Sequence, residues 1–235
     1  MKIGAIIFFR MNSSRLPGKP LLKFADKTLI EIIYDRVLKV IELDEIIIAT
    51  SEEASDDIIE ELCKKLKIKI YRGSLNNVAD RALNCALLYE MDYFVRICGD
   101  RPFFDYELIS KQLKKVNNFH YDIVTNCFPR TYPKGMDSEI ISTKLLKDNI
   151  KYFNKKEDNE HLTRYFYNNH NKFKIFNYKI NSNDDLSNYS LAIDNAYDYE
   201  KTIFLLNEIK NYDCKNVDIN TKIQILKKYI KNNAH

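Results

Sequence analysis

The sequence predicts an α/β protein with a doubly wound, mostly parallel sheet and an inserted substrate-covering section. Three observations support this fold class. Through the first half of the chain, short apolar runs rich in β-branched residues alternate with segments of helical apolar spacing. Several of these runs are apolar at consecutive positions, which is typical of parallel strands that helices cover on both faces. Polar or glycine-containing loops follow them, as expected where ligands bind at the carboxyl ends of strands.

The first half of the chain is expected to contain five strands and four helices in alternation. The strands are predicted at Ile3–Phe9, Glu45–Thr50, Lys67–Tyr71, Tyr93–Ile97 and Tyr121–Asn126, and the helices at Thr28–Ile41, Ser55–Leu66, Asn77–Tyr89 and Tyr106–Val116. Ser55, with Asp56 and Asp57 after it, is typical of a helix N-cap and first turn. Asn77 is expected to cap the third helix in the same way.

The pattern changes after residue 127, where Phe128–Gly135 contains two prolines and a glycine and predicts a loop. The remaining strands are predicted at Met136–Ile141, Phe173–Ile180 and Ser190–Ile193, and the helices at Thr143–Ile150, Asp158–Asn169, Tyr197–Lys210 and Thr221–Ile230. No sharp linker divides the sequence, so we expect residues 1–235 to form one domain.

The composition of the chain limits the classes of function that it can have. The chain has 235 residues, of which 45% are hydrophobic, enough for a substantial core. Its net charge of +4 does not call for a nucleic-acid partner. No apolar run approaches the length of a membrane span, so we expect no membrane association. The scattered cysteines predict reduced thiols in a cytoplasmic protein; they are Cys63, Cys85, Cys98, Cys127 and Cys214.

The segment 10–19, Arg-Met-Asn-Ser-Ser-Arg-Leu-Pro-Gly-Lys, joins the first predicted strand to the first predicted helix. Its cations can neutralise phosphate oxygens, and its hydroxyls and backbone N–H groups are further donors. Asn12 tolerates the left-handed backbone of a tight anion-binding turn. The alternative is a solvated basic loop, but this density of donors favours a triphosphate site. Its predicted members are Arg10, Asn12, Ser13, Ser14, Arg15 and Lys19.

Two aspartates follow predicted strands and are candidate metal ligands. Asp100 lies just past the strand Tyr93–Ile97, where a carboxylate can hold Mg²⁺ against phosphate oxygens. Asp194 follows the predicted strand Ser190–Ile193 and would complete the site, with Asp198 as a weaker candidate. The alternative role of Asp100, considered by itself, is that of a turn residue or helix cap, and the alternative role of Asp194 is that of a helix N-cap. The phosphate loop, which requires a metal partner, favours the metal site.

Four residues in the second half of the chain are candidate acceptor contacts. Asp137 and Glu139 share one side of an extended segment and could grip sugar hydroxyls, although exposed acids of a hairpin are equally expected there. His161 and Arg164 are one turn apart on a predicted helix and could bind a carboxylate or phosphate. A lone helical histidine is, however, more often structural.

Two residues in the first half complete the candidates. Gly73 follows a predicted strand and would allow a ligand to approach the backbone closely. Arg81 could reach the nucleotide from the next helix. Both could equally be turn and surface residues.

Four segments resemble the cytidylyltransferases that make CMP-activated acidic sugars, a superfamily that includes the CMP-Kdo and CMP-sialate synthetases. The segments are 10–19, 71–81 with Arg-Gly-Ser, 96–105 with Gly-Asp-x-Pro, and 133–139 together with 160–163. The spore coat polysaccharide biosynthesis protein F branch is the most similar. That branch commonly has a small residue and a glycine where Phe9 and Asn12 stand, and Arg101 is a bulky departure beside the proposed metal.

The resemblance implies a nucleotidyltransferase domain of the GT-A-like Rossmannoid kind. Residues 1–127 would bind the nucleotide, and 128–235 would bind the acceptor and complete the sheet. The resemblance implies that the CTP phosphates are contacted by Arg10, Ser14, Arg15 and Lys19, and that the catalytic residues are Arg15, Lys19 and Asp100. It implies that Mg²⁺ is bound by Asp100 and Asp194. The implied acceptor contacts are Asp137, Glu139 and His161.

The implied reaction is Mg²⁺-dependent transfer of CMP from CTP to an acidic sugar, Kdo-like or nonulosonic, with release of pyrophosphate in surface polysaccharide or glycan biosynthesis. A homodimer is a further expectation. One alternative is a sugar-nucleotide-dependent glycosyltransferase of related fold, which would not need so cationic a loop after its first strand. Another is a nonenzymatic subunit that kept the fold, against which the acids Asp100 and Asp194 argue.

Overall fold

The computed structural model describes residues 1–180, 185–209 and 217–233. Its strands, in chain order, are β1 (Ile3–Phe8), β2 (Lys23–Phe24), β3 (Lys27–Thr28), β4 (Glu45–Ser51), β5 (Lys69–Gly73), β6 (Tyr93–Cys98), β7 (Ile123–Thr125), β8 (Glu139–Ser142) and β9 (Ile175–Asn177). Its helices are α1 (Leu29–Val37), α2 (Asp57–Leu66), α3 (Val78–Leu88), α4 (Tyr106–Phe119), α5 (Thr143–Asn149), α6 (Lys156–Glu160), α7 (Arg164–Asn168), α8 (Ala196–Glu208) and α9 (Ile219–Asn232).

Within the described ranges, seven strands form a single sheet in the order β5-β4-β1-β6-β8-β7-β9, and β2 and β3 form a separate hairpin. β1 pairs in parallel with β4 and β6, and β4 pairs in parallel with β5. β8 is antiparallel to both of its neighbours, whereas β7 and β9 are parallel. The predicted mostly parallel, doubly wound sheet is therefore confirmed.

Burial explains why β1 is apolar at consecutive positions. Ile6 and Ile7 are each 0% exposed but point to opposite faces of the sheet. Ile7 packs in the cluster that contains Leu29 of α1, whereas Ile6 packs with Ala82 of α3. Helices therefore cover both faces, as the continuous apolar runs predicted.

The first two helix starts differ from the prediction by one or two residues. Thr28 is an N-cap rather than a helical residue, because its hydroxyl and Glu31 form a reciprocal capping box. The prediction that Ser55 caps the second helix was wrong: α2 begins at Asp57, and the Asp56 side chain makes no capping bond. The predicted cap at Asn77 is confirmed, since its side chain accepts the Asp80 N–H at 2.9 Å.

Two predicted elements after residue 127 were wrong. The single helix expected at 158–169 is two short helices, α6 and α7, separated at His161–Thr163. The strand expected at 190–193 is absent from the described sheet, where Ser190 makes only an isolated bridge to Lys134. Leu191–Ile193 is apolar because it is buried, and its backbone is bonded to loops rather than to a strand.

A glycine lets two of these loops meet. Gly135 has a φ of +93°, and a Cβ placed there would lie 2.5 Å from the backbone nitrogen of Ala192. Both the left-handed backbone and the close approach require glycine. The contact packs the turn at 133–137 against 191–192, which helps to position Asp194, two residues further along the chain.

The described cysteines, Cys63, Cys85, Cys98 and Cys127, are free thiols, and Cys214 lies outside the described residues. Burial raises the pKa of Cys63, Cys85 and Cys127 to about 12, so these thiols stay protonated at neutral pH. Across the described ranges, no helix combines the length and the apolar character needed to cross a membrane.

Candidate active site

A cavity of about 290 Å³ opens where β1 and β6 end side by side. Phe8 pairs with Cys98 at the last position of both strands, so the segments that follow them share one edge of the sheet. Nine of the residues predicted from sequence line this cavity: Arg10, Ser13, Ser14, Arg15, Lys19, Arg81, Asp100, His161 and Asp194. The predicted residues that do not line it are Asn12, Gly73, Asp137, Glu139 and Arg164.

The predicted phosphate loop is a compact turn closed on itself. The Met11 carbonyl accepts the N–H groups of Ser13 at 2.9 Å and Gly18 at 3.0 Å, which brings the start and end of the loop together. Gly18 has a φ of 73° and leads into a short 3₁₀ turn at Lys19–Leu21. This closure places cations from both ends of the loop around one cavity.

Asn12 lies outside the cavity and does not adopt the expected left-handed backbone, since the positive-φ non-glycine residues of the described chain are Ala25, Lys67, Glu90 and His120. Its side-chain amide donates instead to the Ser55 hydroxyl at 3.0 Å. Asn12 therefore connects the loop to the turn that precedes α2. Its predicted contact with a nucleotide has no support in this geometry.

Asp100 enters the cavity directly after β6. A Cβ at Gly99 would lie 2.3 Å from a ring carbon of Phe9 and 2.6 Å from the Phe8 carbonyl, so only glycine lets the chain pass there. The Asp100 Oδ1 atom is buried without a hydrogen-bond donor, and its ion pair with Arg101 is long at 3.7 Å. The Asp100 side chain as a whole is 27% exposed and lines the cavity, so its carboxylate can meet a further positive partner there.

Asp194 reaches the same cavity because the chain before it is bonded to the end of β6. The Ile193 N–H donates to the Asp100 carbonyl at 2.9 Å, and the Leu191 N–H donates to the Lys134 carbonyl at 2.7 Å. The Asp194 carboxylate accepts from Arg15 at 2.9 Å and from the Lys134 ammonium. Burial favours a raised pKa for Asp194, but Lys134, Arg15 and Lys19 more than offset it and lower the pKa.

Asp100 and Asp194 fit a magnesium ion that a nucleotide brings with it. The described residues contain no group of three or more His, Cys, Asp or Glu side chains able to hold a metal by themselves. Mg²⁺ commonly binds through one or two carboxylates, waters and substrate phosphates, so a full protein cage is not required. The Asp100 and Asp194 carboxylates, which line the same cavity, meet that requirement. Asp198 is not part of it, because its carboxylate accepts the backbone N–H groups of Asp194 and Asn195 at the start of α8.

Arg81 forms the far wall of the cavity. Its side chain is 3% exposed, and its Nε and Nη1 atoms have no hydrogen-bond acceptor. Burial lowers the pKa of Arg81 to about 10, so the guanidinium is charged at neutral pH. Gly73 does not face the cavity: a Cβ there would lie 3.1 Å from the Arg81 Cγ, so this glycine makes room for Arg81.

A buried ion pair that the sequence analysis did not anticipate lies beside the cavity. Arg96 of β6 lies directly opposite Glu139 of β8, and its Nη1 donates to the carboxylate at 2.6 Å. The Tyr167 hydroxyl donates to the other oxygen at 2.7 Å. Burial favours a raised pKa for Glu139, but Arg96, followed by Tyr167, outweighs burial and lowers the pKa to about 2. Glu139 thus neutralises an arginine and presents no oxygen to the cavity.

Asp137 has a similar role, with two arginines as partners. The Arg101 guanidinium forms an ion pair with the Asp137 Oδ2 atom at 3.1 Å, and Arg130 contacts Oδ1. Asp137 is 2% exposed. Arg101, the departure noted in the sequence, therefore turns toward Asp137 and away from the open cavity. The predicted sugar contacts of Asp137 and Glu139 do not fit this geometry, because neither carboxylate is presented to a ligand.

Replacing Glu139 with glutamine is expected to lower the free energy of unfolding at pH 7 by on the order of 3 kcal/mol, because Arg96 stays buried without its counter-charge. Since the folded pKa of Glu139 is below that of an unfolded glutamate, its stabilisation is present above about pH 4.5 and is lost as the pH falls toward 2. Urea unfolding at pH 7, 4.5 and 3 should show the difference between the two proteins shrinking at the lowest pH. A difference that is independent of pH would contradict this assignment.

The remaining wall comes from the break between α6 and α7. His161 ends α6 and lines the cavity together with Glu160, whose carboxylate lies 3.9 Å from the Arg10 guanidinium. Arg164 begins the next helix and pairs with Asp158 at 2.9 Å. The two residues predicted to share a helix face are therefore separated by the break, and only His161 faces the cavity.

Sequence reasoning missed Arg96 and Glu160 as cavity residues. A signal for Arg96 was available, since it is the one cation within the run Tyr-Phe-Val-Arg-Ile-Cys of β6. A charge in a buried strand requires a partner or a ligand. Glu160 lies in the segment 160–163 that carries the resemblance, but its residue type gave no comparable signal, because an acid on a predicted helix is usually a solvated residue.

Comparisons with known proteins agree with the site. A family model described as cytidylyltransferase matches residues 4–224. The chain is 37% identical over 230 residues to an uncharacterized protein of Methanocaldococcus jannaschii, covering 97% of this chain and 91% of that one. It is 31% identical over 202 residues to the spore coat polysaccharide biosynthesis protein SpsF of Bacillus subtilis, covering 83% and 82%.

Solved structures give the same result. A cytidylyltransferase from Leptospira borgpetersenii superposes with a TM-score of 0.86 at 33% identity, covering 100% of this chain and 95% of that one. CMP:2-keto-3-deoxy-manno-octonic acid synthetase, in complex with CTP, shares the fold with a TM-score of 0.70 at 17% identity, covering 89% and 100%. The nucleotidyltransferase fold expected from the sequence is thereby confirmed. The chain belongs to the cytidylyltransferase family.

Proposed function

We propose that this protein transfers CMP from CTP to an acidic sugar, Kdo-like or nonulosonic, in a Mg²⁺-dependent reaction that releases pyrophosphate. The observation that carries the proposal is that Arg10, Arg15 and Lys19 share one cavity with Asp100 and Asp194. Cations that can hold a triphosphate face carboxylates that can hold its metal. The complex of a structurally similar synthetase with CTP supports the choice of nucleotide, and the similarity to SpsF supports a role in surface polysaccharide or glycan biosynthesis.

The reaction is an in-line attack of an acceptor oxygen on the α-phosphorus of CTP, with pyrophosphate as the leaving group. Bound Mg²⁺ would lower the pKa of the attacking hydroxyl and offset charge on the phosphates. The chain itself contributes positioning and charge neutralisation. Among the described residues, none forms an ion pair with the Lys19 ammonium, which is therefore available to a phosphate oxygen. Arg15 is 66% exposed, so it can turn from Asp194 to the nucleotide and release a carboxylate oxygen toward the metal.

The acceptor would enter beside His161, on the wall formed by the break between α6 and α7. His161 is exposed at the end of α6, and a ring N–H could donate to the carboxylate of an acidic sugar. Arg96 lies deeper, with its charge already balanced by Glu139. We retain His161 as the acceptor contact and assign Asp137 and Glu139 to the arginines behind the cavity.

Two other functions lead to different measurements. A glycosyltransferase of related fold would consume a sugar nucleotide and release no pyrophosphate. A nonenzymatic subunit would show no turnover, and the Asp100 carboxylate inside a cationic cavity argues against it.

The proposal is tested by measuring pyrophosphate release with each of the four NTPs, Mg²⁺ and a panel of acidic sugars that includes Kdo and sialic acid. We expect release with CTP and one class of acidic sugar, and its loss when EDTA removes the metal. Release with another NTP would reassign the nucleotide. Neither turnover nor CTP binding would favour the nonenzymatic alternative.

Replacing Arg81 with methionine is expected to weaken CTP binding by about 10-fold or more without destabilising the protein. A charge-assisted bond to a ligand would be lost, but the folded protein would no longer bury a guanidinium with unpartnered Nε and Nη1 atoms. Calorimetric CTP titration and thermal unfolding of the same preparations measure both effects. Unchanged CTP affinity, or a large fall in the unfolding temperature, would show that Arg81 is a structural residue.

Two further expectations belong to this proposal. We propose a homodimer, which sedimentation equilibrium would detect as twice the chain mass of 27.8 kDa. We also propose that the protein acts in the cytoplasm, where CTP is available, which cell fractionation would test.

A further inference from the structure

Asp56 is a buried carboxylate bonded to the phosphate loop at Met11, although it lies 45 positions after Met11 in the sequence. It is 1% exposed and follows β4, next to β1 in the sheet. The sequence pattern assigned it to the start of a helix, yet its side chain makes no capping bond to α2. Its hydrogen bonds point in the opposite direction, toward the strand ends and the loop.

Each oxygen of Asp56 holds a different segment. Oδ1 accepts the backbone N–H of Met11 at 2.7 Å. Oδ2 accepts the Thr50 hydroxyl at 2.7 Å and the Ser51 N–H at 3.0 Å, with the Ser51 hydroxyl as a further donor. Burial favours a raised pKa for Asp56, but these donors, Ser51 first and then Met11, lower it, so the group is ionised at neutral pH. One carboxylate therefore ties the end of β4 to the beginning of the loop.

The turn that contains Asp56 holds the loop by one further hydrogen bond. The Asn12 amide donates to the Ser55 hydroxyl at 3.0 Å. The Thr50 hydroxyl, whose single hydrogen is directed at Asp56, lies 3.0 Å from the Phe9 carbonyl. Met11 is the central point, because its carbonyl accepts the N–H groups that close the loop. Fixing the backbone at Met11 therefore orients both arms of the loop.

We propose that Asp56 is a positioning residue that holds the phosphate loop in its nucleotide-binding conformation before the nucleotide arrives. The inference rests on the proposed function, because it takes the ligand of the loop to be a triphosphate. Asp56 touches no ligand itself. It acts through the Met11 N–H, with the result that less of the binding free energy is spent on ordering the loop.

A competing explanation is that Asp56 acts only through its negative charge, and this explanation predicts the opposite change in triphosphate affinity. Asp56 lies close enough to Arg81 to stabilise its charged form, whereas Arg10 opposes it. If Asp56 acted only through its charge, neutralising it would make the cavity more positive and would tighten triphosphate binding. If Asp56 positions the loop, neutralising it weakens binding. The direction of the change in affinity separates the two.

The test replaces Asp56 with asparagine and measures CTP binding by calorimetry in the presence of Mg²⁺. We expect the Kd to rise by about 10-fold or more, since an amide cannot supply every acceptor that the carboxylate supplies. The control is Asp44→Asn. Asp44 also accepts a backbone N–H, from Ile3 at 2.7 Å, but it precedes β4 and lies away from the cavity. Its Kd should stay within about twofold of the wild type.

A Kd for Asp56→Asn that is unchanged or lower than that of the wild type would overturn the proposal. If this variant fails to fold, Ser51→Ala is measured instead, because it removes a hydroxyl that donates to Asp56 Oδ2 and leaves the Asp56 carboxylate in place. A rise of roughly threefold in its Kd would support the proposal, in line with one lost hydrogen bond, and no change would overturn it.

Failure of the proposed function is recognised separately, as a wild-type protein that binds no CTP. The hydrogen bond between Asp56 and the Met11 N–H is then tested by hydrogen exchange at the Met11 amide, a measurement that needs no nucleotide. Exchange at least 10-fold faster in Asp56→Asn than in Asp44→Asn supports the anchor, and equal rates overturn it.

Discussion

Turnover of an Asp100→Asn protein is expected to fall by about 10³-fold or more, with little change in stability. The amide is nearly the same size as the carboxylate, but it lacks the negative charge that would attract the metal of the metal–triphosphate complex. The effect on stability should be small, because the Asp100 Oδ1 atom accepts no hydrogen bond and forms only a long ion pair with Arg101. The loss is therefore expected in kcat, with thermal unfolding near that of the wild type.

Asp92→Asn is the matched control for this substitution. Asp92 stands at the other end of β6, where it accepts the Lys2 N–H at 2.7 Å. Both changes remove one carboxylate from the flank of the same strand, but only Asp100 lines the cavity. Pyrophosphate release by the Asp92 variant should remain within about twofold of the wild type. Wild-type turnover in Asp100→Asn would remove this residue from the proposed mechanism.

Replacing Lys19 with methionine is expected to reduce kcat/KM for the nucleotide by about 10²–10³-fold, the usual cost of removing one donor that stabilises developing charge. In the described structure the Lys19 ammonium has no ion-pair partner, so its removal leaves no protein charge uncompensated. Lys23→Met provides the control, because Lys23 lies on β2 outside the cavity. Steady-state pyrophosphate release at varied CTP measures both. An equal loss in the two variants would show that net charge, rather than the position of Lys19, is responsible.

Much of the architecture could be predicted because buried parallel strands leave a strong pattern. The alternating environments of Ile6 and Ile7 require apolar residues at both, which produces the continuous run seen in the sequence. The same geometry predicted that the loop after β1 and Asp100 after β6 would meet, since parallel strands end at a common edge. The structure places both in one cavity.

The parts that could not be predicted depend on contacts between distant segments. Leu191–Ile193 has the composition of a strand, but its N–H groups bond to the loops at 134 and 100. Glu139 was expected to face a sugar, because alternation along a strand gives its side and not what lies opposite. Its partner, Arg96, comes from a strand 43 residues earlier in the chain. No local pattern could distinguish a neutralised buried acid from an exposed one.

The N-terminal residues of α2 illustrate the same limit. Ser-Asp-Asp before an apolar segment is a reasonable capping pattern, yet Asp56 is turned toward Met11 and the end of β4. A cap and an anchor for a distant loop use the same side-chain oxygens. Only the packing of β4 against β1 decides between them.

The central claim is that the phosphate loop and two carboxylates surround a single metal–nucleotide complex. A crystal structure with CTP and Mn²⁺, located by its anomalous signal, tests it most directly. We expect the metal at about 2.0–2.2 Å from carboxylate oxygens of Asp100 and Asp194, with the triphosphate against Arg10, Arg15 and Lys19. A nucleotide bound elsewhere, or a metal that contacts neither aspartate, would contradict this account.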